Sequence, residues 1–223
     1  MRMRFKVLLP LLLLSALPAV VQAQFNCTTN SGAITITKYT GSGGAVAIPS
    51  TINGYPVTSI GDYALEYASV TSLTIGNNVT YLGLEALAHC NSLRGIYFRG
   101  NAPGGGTGTF QSDVDATLYY LPGTTGWAGF VALFGPAYYD RLPVVLWNPQ
   151  AQTSGASFGV RTNRFGFNIT GTSSLVIVVE ACTNLANPTW SPVGTNTLTG
   201  GSCYFSDPQW TNYAARFYRL RSP

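Results

Sequence analysis

The sequence predicts a mainly β protein: a short solenoid of parallel strands and short helical segments, followed by a small antiparallel β-sandwich. Three observations carry this. A unit of about 22 residues is written twice across 60–98. Apolar–polar–apolar triplets recur at similar intervals on either side of it. From Phe158 onward the repeat gives way to short alternating runs separated by turn residues.

Taken in order, the chain begins with a charged start (Arg2, Arg4, Lys6), an apolar run and the small-residue site Val21-Gln22-Ala23. This predicts a secretory signal peptide over 1–23, cleaved before Gln24, rather than a spanning helix. No later run is long and apolar enough to span a membrane. The whole chain carries 12 basic and 8 acidic residues. Removing the signal leaves nine against eight, a net +1. No stretch interleaves basic and aromatic residues along a phosphate track, so the composition points away from nucleic acid.

The stretch 24–147 is expected to be the solenoid with its caps. Ala33-Ile-Thr-Ile-Thr37 alternates, Gly41-Ser-Gly-Gly44 turns the chain, and Ala45-Val-Ala-Ile48 returns. This reads as a hairpin over the open end of the first repeat. In the repeat, Ile60-Gly61 maps onto Leu82-Gly83 and Ala64-Leu65 onto Ala86-Leu87 at an offset of 22. Val70, Leu73 and Ile75 map onto Leu93, Ile96 and Phe98 at 23. Units of this period cannot bury their apolar faces alone. Leu73-Thr74-Ile75 and Ile96-Tyr97-Phe98 alternate as half-buried strands do. Val46-Ala47-Ile48, Leu118-Tyr119-Tyr120 and Val144-Val145-Leu146 extend the series. Residues 62–68 and 84–90 read as helical segments of about two turns, dependent on their neighbours.

Gly76-Asn77-Asn78-Val79-Thr80 and Cys90-Asn91-Ser92-Leu93 resemble the BspA-like leucine-rich repeat of secreted and surface bacterial proteins. The likeness covers about 45–100. Leu65 and Leu87 stand where that pattern has Phe, and Ala68 where it has its first Cys. The resemblance implies a parallel-stranded solenoid, a secreted or cell-surface location and an interaction role without chemistry.

Gly100-Asn-Ala-Pro-Gly-Gly-Gly-Thr-Gly-Thr109 lacks the Lys-Ser/Thr and helix of a phosphate cradle and is expected to be a flexible loop between rungs. Asp113 and Asp115 beyond it lack the wider ligand set of a calcium loop. Trp127, Phe130, Leu133 and Phe134 trace a short helical face, read as a carboxy-terminal cap. Residues 148–156 are polar and small, and read as a linker. Within 157–223, six short strands predict a sandwich. Its five arginines against Glu180 and Asp207 make it basic. The segments around Val179-Glu-Ala-Cys-Thr-Asn-Leu185 and Phe217-Tyr-Arg-Leu-Arg221 resemble a terminal β-domain of secreted bacterial repeat proteins, which implies no activity.

Chemistry is sparse, and no cofactor is implied. His89 adjoins Cys90, but adjacent helical residues point apart, and Cys90 occupies the core Cys position of the repeat. Metal binding needs more ligands than one His and scattered Cys, so no metal is expected. The carboxylates Asp62, Glu66 and Glu85 read as a solvated face rather than a glycosidase pair. The chain is therefore read as non-catalytic. Four cysteines allow three pairings. Cys182 and Cys203, in one small domain of an exported chain, are expected to form a disulfide, leaving Cys27 and Cys90 free.

The candidate ligand surface follows from strand alternation. If the triplets stack, their middle residues form an outward ladder of Ala47, Thr74, Tyr97, Tyr119 and Val145. Tyr97 and Tyr119 then sit about 4.8 Å apart, with Arg94 and Arg99 flanking. Paired tyrosines suit a protein hot spot or a sugar ring; the plainer reading is that aromatics stabilise one another across a sheet. The leading expectation is an interaction protein binding a protein or surface ligand through the solenoid. The alternatives are a carbohydrate-binding module and a secreted hydrolase, the last requiring a close, shielded pair of carboxylates.

Overall fold

The computed structural model describes residues 24–113, 115–134 and 142–222. The expected signal peptide over 1–23 lies outside the described residues. The chain divides into two units at 146/147.

In the first unit, β1 (Phe25–Asn30) and β2 (Ala33–Tyr39) form an antiparallel hairpin. Then follow β3 (Gly44–Ile48), β4 (Thr51–Ile52), β5 (Tyr55–Ile60), β6 (Val70–Ile75), β7 (Tyr81–Leu82), β8 (Gly95–Phe98), β9 (Gly104–Gly105) and β10 (Thr117–Tyr120). Helix α1 (Trp127–Phe134) and β11 (Val144–Leu146) complete the unit. The strands form a β-solenoid with two ladders. One runs β1-β2-β5-β7-β9, parallel from β2 onward; the other runs β11-β10-β8-β6-β3 and is parallel throughout.

The cap hairpin differs from expectation. It is β1 with β2, while β3 leaves for the second ladder and pairs with β6 as its first rung. Gly43 and Gly44, at φ of 94° and 77°, make the corner between the ladders. Such angles suit glycine. Val46 and Ile48 then join Leu73, Ile75, Ile96, Phe98 and Leu118 in one core between the ladders. Each such side chain contributes roughly 1.5–3 kcal/mol on burial.

The segments over 62–67 and 84–89 are chains of turns, not helices. Alternate amides close short turns: Ala64 N–H to Gly61 C=O, Glu66 N–H to Tyr63 C=O, Ala68 N–H to Leu65 C=O. The others bond to the next rung: Tyr63 to Leu84, Leu65 to Ala86, Tyr67 to Ala88. A helix would aim its amides along its own axis rather than sideways at the neighbouring rung. Tyr63, Tyr67, Glu85 and His89 sit at positive φ, which a right-handed helix excludes.

The glycine-rich stretch is a third copy of the repeat, not a flexible loop. β9 pairs with β7, placing Gly105 beside Leu82. The amides of Glu85, Leu87 and His89 donate to the carbonyls of Thr107, Thr109 and Gln111. Phe110 is fully buried in the core. At Gly105 the missing side chain is replaced from outside the rung: a Cβ there would lie 2.4 Å from Cζ of Phe134 in α1. Helix α1 buries Trp127, Phe130 and Phe134 and leaves Leu133 exposed.

The second unit holds β12 (Gln150–Ala151), β13 (Gly159–Arg161), β14 (Arg164–Thr170), β15 (Val176–Cys182), β16 (Ser191–Thr197), β17 (Ser202–Asp207) and β18 (Phe217–Arg221). β14 pairs with β12, β13 and β17, and β15 pairs with β16 and β18. β12 lies within the stretch read as linker. Tyr218 packs against Phe165, Phe167 and Phe205, joining the two sheets. Its hydroxyl donates to Asp207, 2.9 Å away, and Arg216 reaches the same carboxylate at 2.7 Å.

The expected Cys182–Cys203 disulfide is not formed; all four cysteines are free thiols. Strand parity explains this. Ala181 and Val179 pair with Tyr218 and Leu220, whose side chains enter the core. Cys182 therefore points to the other face of its sheet, with Glu180. Cys203, two residues from buried Phe205, shares that residue's inward side.

Candidate interaction surface

The second ladder aligns the expected row. Ala47 pairs with Thr74, Thr74 with Tyr97, Tyr97 with Tyr119, and Tyr119 with Val145. Parallel pairing keeps the side-chain phase the same on each rung, so the residues between core positions share one outer face. All five are half-buried, while Leu73, Ile75, Ile96, Phe98 and Leu118 are buried.

The tyrosine rings stack at 4.8 Å with 9° between planes. Their separation equals a strand spacing, so the planes stand across the ladder and each ring turns one face to the other. The row consequently presents ring edges and hydroxyls rather than an open aromatic plate. Tyr97 also leans along its own strand: a Cβ on Gly95 would meet its hydroxyl at 2.8 Å. Burial raises the Tyr119 phenol above its ordinary range, partly offset by its hydrogen bond with Thr117.

The two arginines differ. Arg94 is exposed but tied to its own loop, donating from Nη1 to the carbonyls of Asn91 and Leu93 at 3.0 Å. Its other terminal nitrogen lies 3.8 Å from Asp115. Arg99 is half-buried, its Nε without a hydrogen-bond partner, and burial lowers its pKa. Neither extends the tyrosine row as an open cation.

Other aromatic residues are more exposed than the ladder pair. Tyr67, at 68% exposure, stacks on His89 at 4.7 Å on the turn segments. Tyr55, Tyr63 and Tyr81 are also exposed. Beside this stack, donor atoms of Glu66, Glu85 and His89 lie within 4.8 Å of one another. Two carboxylates and an imidazole are a donor set that first-row divalent ions accept. Sequence spacing hid the cluster, because Glu66 belongs to one rung and Glu85 and His89 to the next. All three groups are half-buried. Cys90 next door is fully buried, and burial, followed by the charge of Asp113, pushes its thiol up to about 12. A thiol so protonated is no nucleophile at neutral pH.

No family model matches the chain, and no curated protein does. Among solved structures, one similar chain is a leucine-rich cell surface protein from Faecalibacterium prausnitzii, at 30% identity and a TM-score of 0.38. That match covers 43% of this chain and 28% of the other, so the chain spans little more than a quarter of that protein's length. A leucine-rich repeat protein from Bacteroides capillosus matches at 22% identity and TM-score 0.42, over 56% of this chain and 95% of its own. A leucine-rich repeat protein from T. pallidum matches at 20% and 0.33, over 44% and 69%. The β-solenoid assignment rests on the strand register above, not on these likenesses. Among the described residues, no helix is long and apolar enough to cross a membrane.

Proposed function

We propose that the chain is an exported, non-catalytic interaction protein whose second ladder engages a protein outside the cell or at its surface. The observation that carries this reading is the Tyr97–Tyr119 stack, set with Ala47, Thr74 and Val145 on one outer face. Half-buried tyrosines held rigidly by each other lose little entropy on binding and offer both apolar edge and hydroxyl. A protein suits this row better than a sugar ring does, because stacking on sugars needs an open aromatic face. Export is supported by the signal-like segment, and a surface location by the BspA-like motifs 76–80 and 90–93.

The test uses the purified chain as bait on surface extracts, beside the Tyr97→Ala/Tyr119→Ala variant and a Tyr63→Ala/Tyr67→Ala variant. The proposal expects capture to fall at least tenfold with the ladder variant and to persist with the turn-segment variant. Loss with the turn-segment variant alone would move the site off the ladder.

A further inference from the structure

The second unit contains a polar pocket of about 350 Å³, lined by Arg161, Arg164, Asn168, Tyr204, Ser157 and Ser206 among others. It lies on the outer face of the sheet formed by β13, β14 and β17. The inner face carries Phe165, Phe167, Ile169 and Phe205, all buried. Gly166 pairs with Ser206 and Asn168 with Tyr204, which brings the polar residues side by side on the outside. A pocket of this size accommodates a small ligand.

Three features set it apart from ordinary sheet surface. Arg161 and Arg164 stand directly opposite each other across the hairpin of β13 and β14. Like charges at such a position destabilise a hairpin. The two residues between them, Thr162 and Asn163, both have positive φ, 44° and 58°. Asparagine tolerates that region; a β-branched threonine is strained there. Trp210 secures this turn by donating its indole N–H to the Asn163 carbonyl, 3.2 Å away.

The charge balance adds a fourth. The unit has five arginines and two acidic residues, Glu180 and Asp207. Both acids are buried and taken up: Asp207 by Arg216, Glu180 by Arg219 and Arg221. Among the described residues, Arg161 and Arg164 have no acidic partner, and no carboxylate lines the pocket. The floor is aromatic: Tyr204 is 45% exposed, and its phenol end lies across Gly166, where a Cβ would meet the hydroxyl at 2.3 Å.

We propose that this pocket binds an acidic saccharide, with the carboxylate or sulfate held by Arg161 and Arg164 and the ring against Tyr204. Paired guanidinium groups recognise planar or multi-oxygen anions. Asn168, Ser157 and Ser206 supply the hydroxyl-matching donors and acceptors that a sugar needs, and Tyr204 supplies apolar contact. This site is independent of the ladder.

Titration calorimetry of the purified full-length chain tests it, with three probes: a sulfated hexasaccharide, an oligogalacturonate and a neutral maltohexaose, each against inorganic sulfate. Binding of at least one acidic probe, at least tenfold tighter than maltohexaose and inorganic sulfate, is expected. Arg161→Gln/Arg164→Gln should weaken that probe at least tenfold while raising the melting temperature, because the like-charge opposition is gone. Tyr204→Ala should weaken it further. The ladder variant Tyr97→Ala/Tyr119→Ala should leave it unchanged, so failure here and failure of the ladder reading are separable. Equal binding of acidic and neutral probes, inorganic sulfate binding as tightly as the saccharide, no binding of either acidic probe, or full affinity in the double arginine variant would each overturn the proposal.

Discussion

The carboxylate of Asp113 accepts a hydrogen bond from the backbone N–H of Cys90, 2.7 Å away and wholly buried. Asp113 occupies the third-rung position equivalent to Cys90 in the second, and Cys90 in turn donates its thiol to the Leu65 carbonyl at 3.1 Å. Each rung thus reaches back one step to a backbone group of the rung before: Asp113 takes up the Cys90 amide, and Cys90 adds a second donor to the Leu65 carbonyl, which already accepts from the Ala68 amide. Asp113→Ala strands the Cys90 amide in the core. A buried unsatisfied donor costs about 1–3 kcal/mol, and denaturant unfolding should show a loss of that size, with Asp113→Asn retaining part of it.

Phe110 tests the third rung. It is fully buried and packs edge-on against Phe130 and Phe134, at 6.3 and 5.5 Å between centroids. Phe110→Ala should destabilise the solenoid by about 3–5 kcal/mol, read as a lower denaturation midpoint. A mobile glycine-rich loop would give a change within about 0.5 kcal/mol, the ordinary range for surface sites.

Thiol counting tests the cysteine assignment. Ellman's reagent under denaturing conditions should find four thiols per chain under both reducing and oxidising preparation. In the native protein at pH 8, exposed Cys27 should react first. Cys90, buried and raised to about 12, should stay silent until unfolding. A count of two after oxidising preparation would restore the Cys182–Cys203 bridge.

Acid should loosen the second unit through Glu180. Burial alone would raise this carboxyl, but hydrogen bonds and charge from Arg221 and Arg219, both at 2.6 Å, hold it below the ordinary glutamate range. A depressed folded pKa contributes stability that is fully present above the unfolded value. It is lost as pH falls through the folded one. The melting temperature should therefore drop as pH is lowered below about 4.3. Glu180→Gln should cost roughly 2 kcal/mol at pH 7, less than a fully buried pair, because Arg221 is 42% exposed. The variant should also show a shallower acid slope.

Much of this architecture is legible in sequence because period and parity are local. The 22- and 23-residue offsets place the rungs, and alternation in Leu73-Thr74-Ile75 and Ile96-Tyr97-Phe98 places the ladder row. The third rung was hidden because Gly105 replaces Leu82 and its volume comes from Phe134, 29 residues away. The turn segments read as helices in sequence because Ala and Leu favour helix, whereas lacing to neighbouring rungs is a tertiary effect. The disulfide failed on strand phase, which spacing between cysteines does not report. Neither the Glu66–Glu85–His89 cluster nor the Arg161–Arg164–Tyr204 pocket leaves a motif, since each draws its members from separate strands or rungs.

The most direct measurement of the ladder reading is a hydroxyl-radical footprint of the chain with and without its captured protein partner. The account predicts that protection appears at Thr74, Tyr97, Tyr119 and Val145, while Tyr63, Tyr67 and Tyr81 stay as reactive as in the unbound chain. Protection centred on those turn and first-ladder tyrosines, with Tyr97 and Tyr119 unchanged, would contradict it.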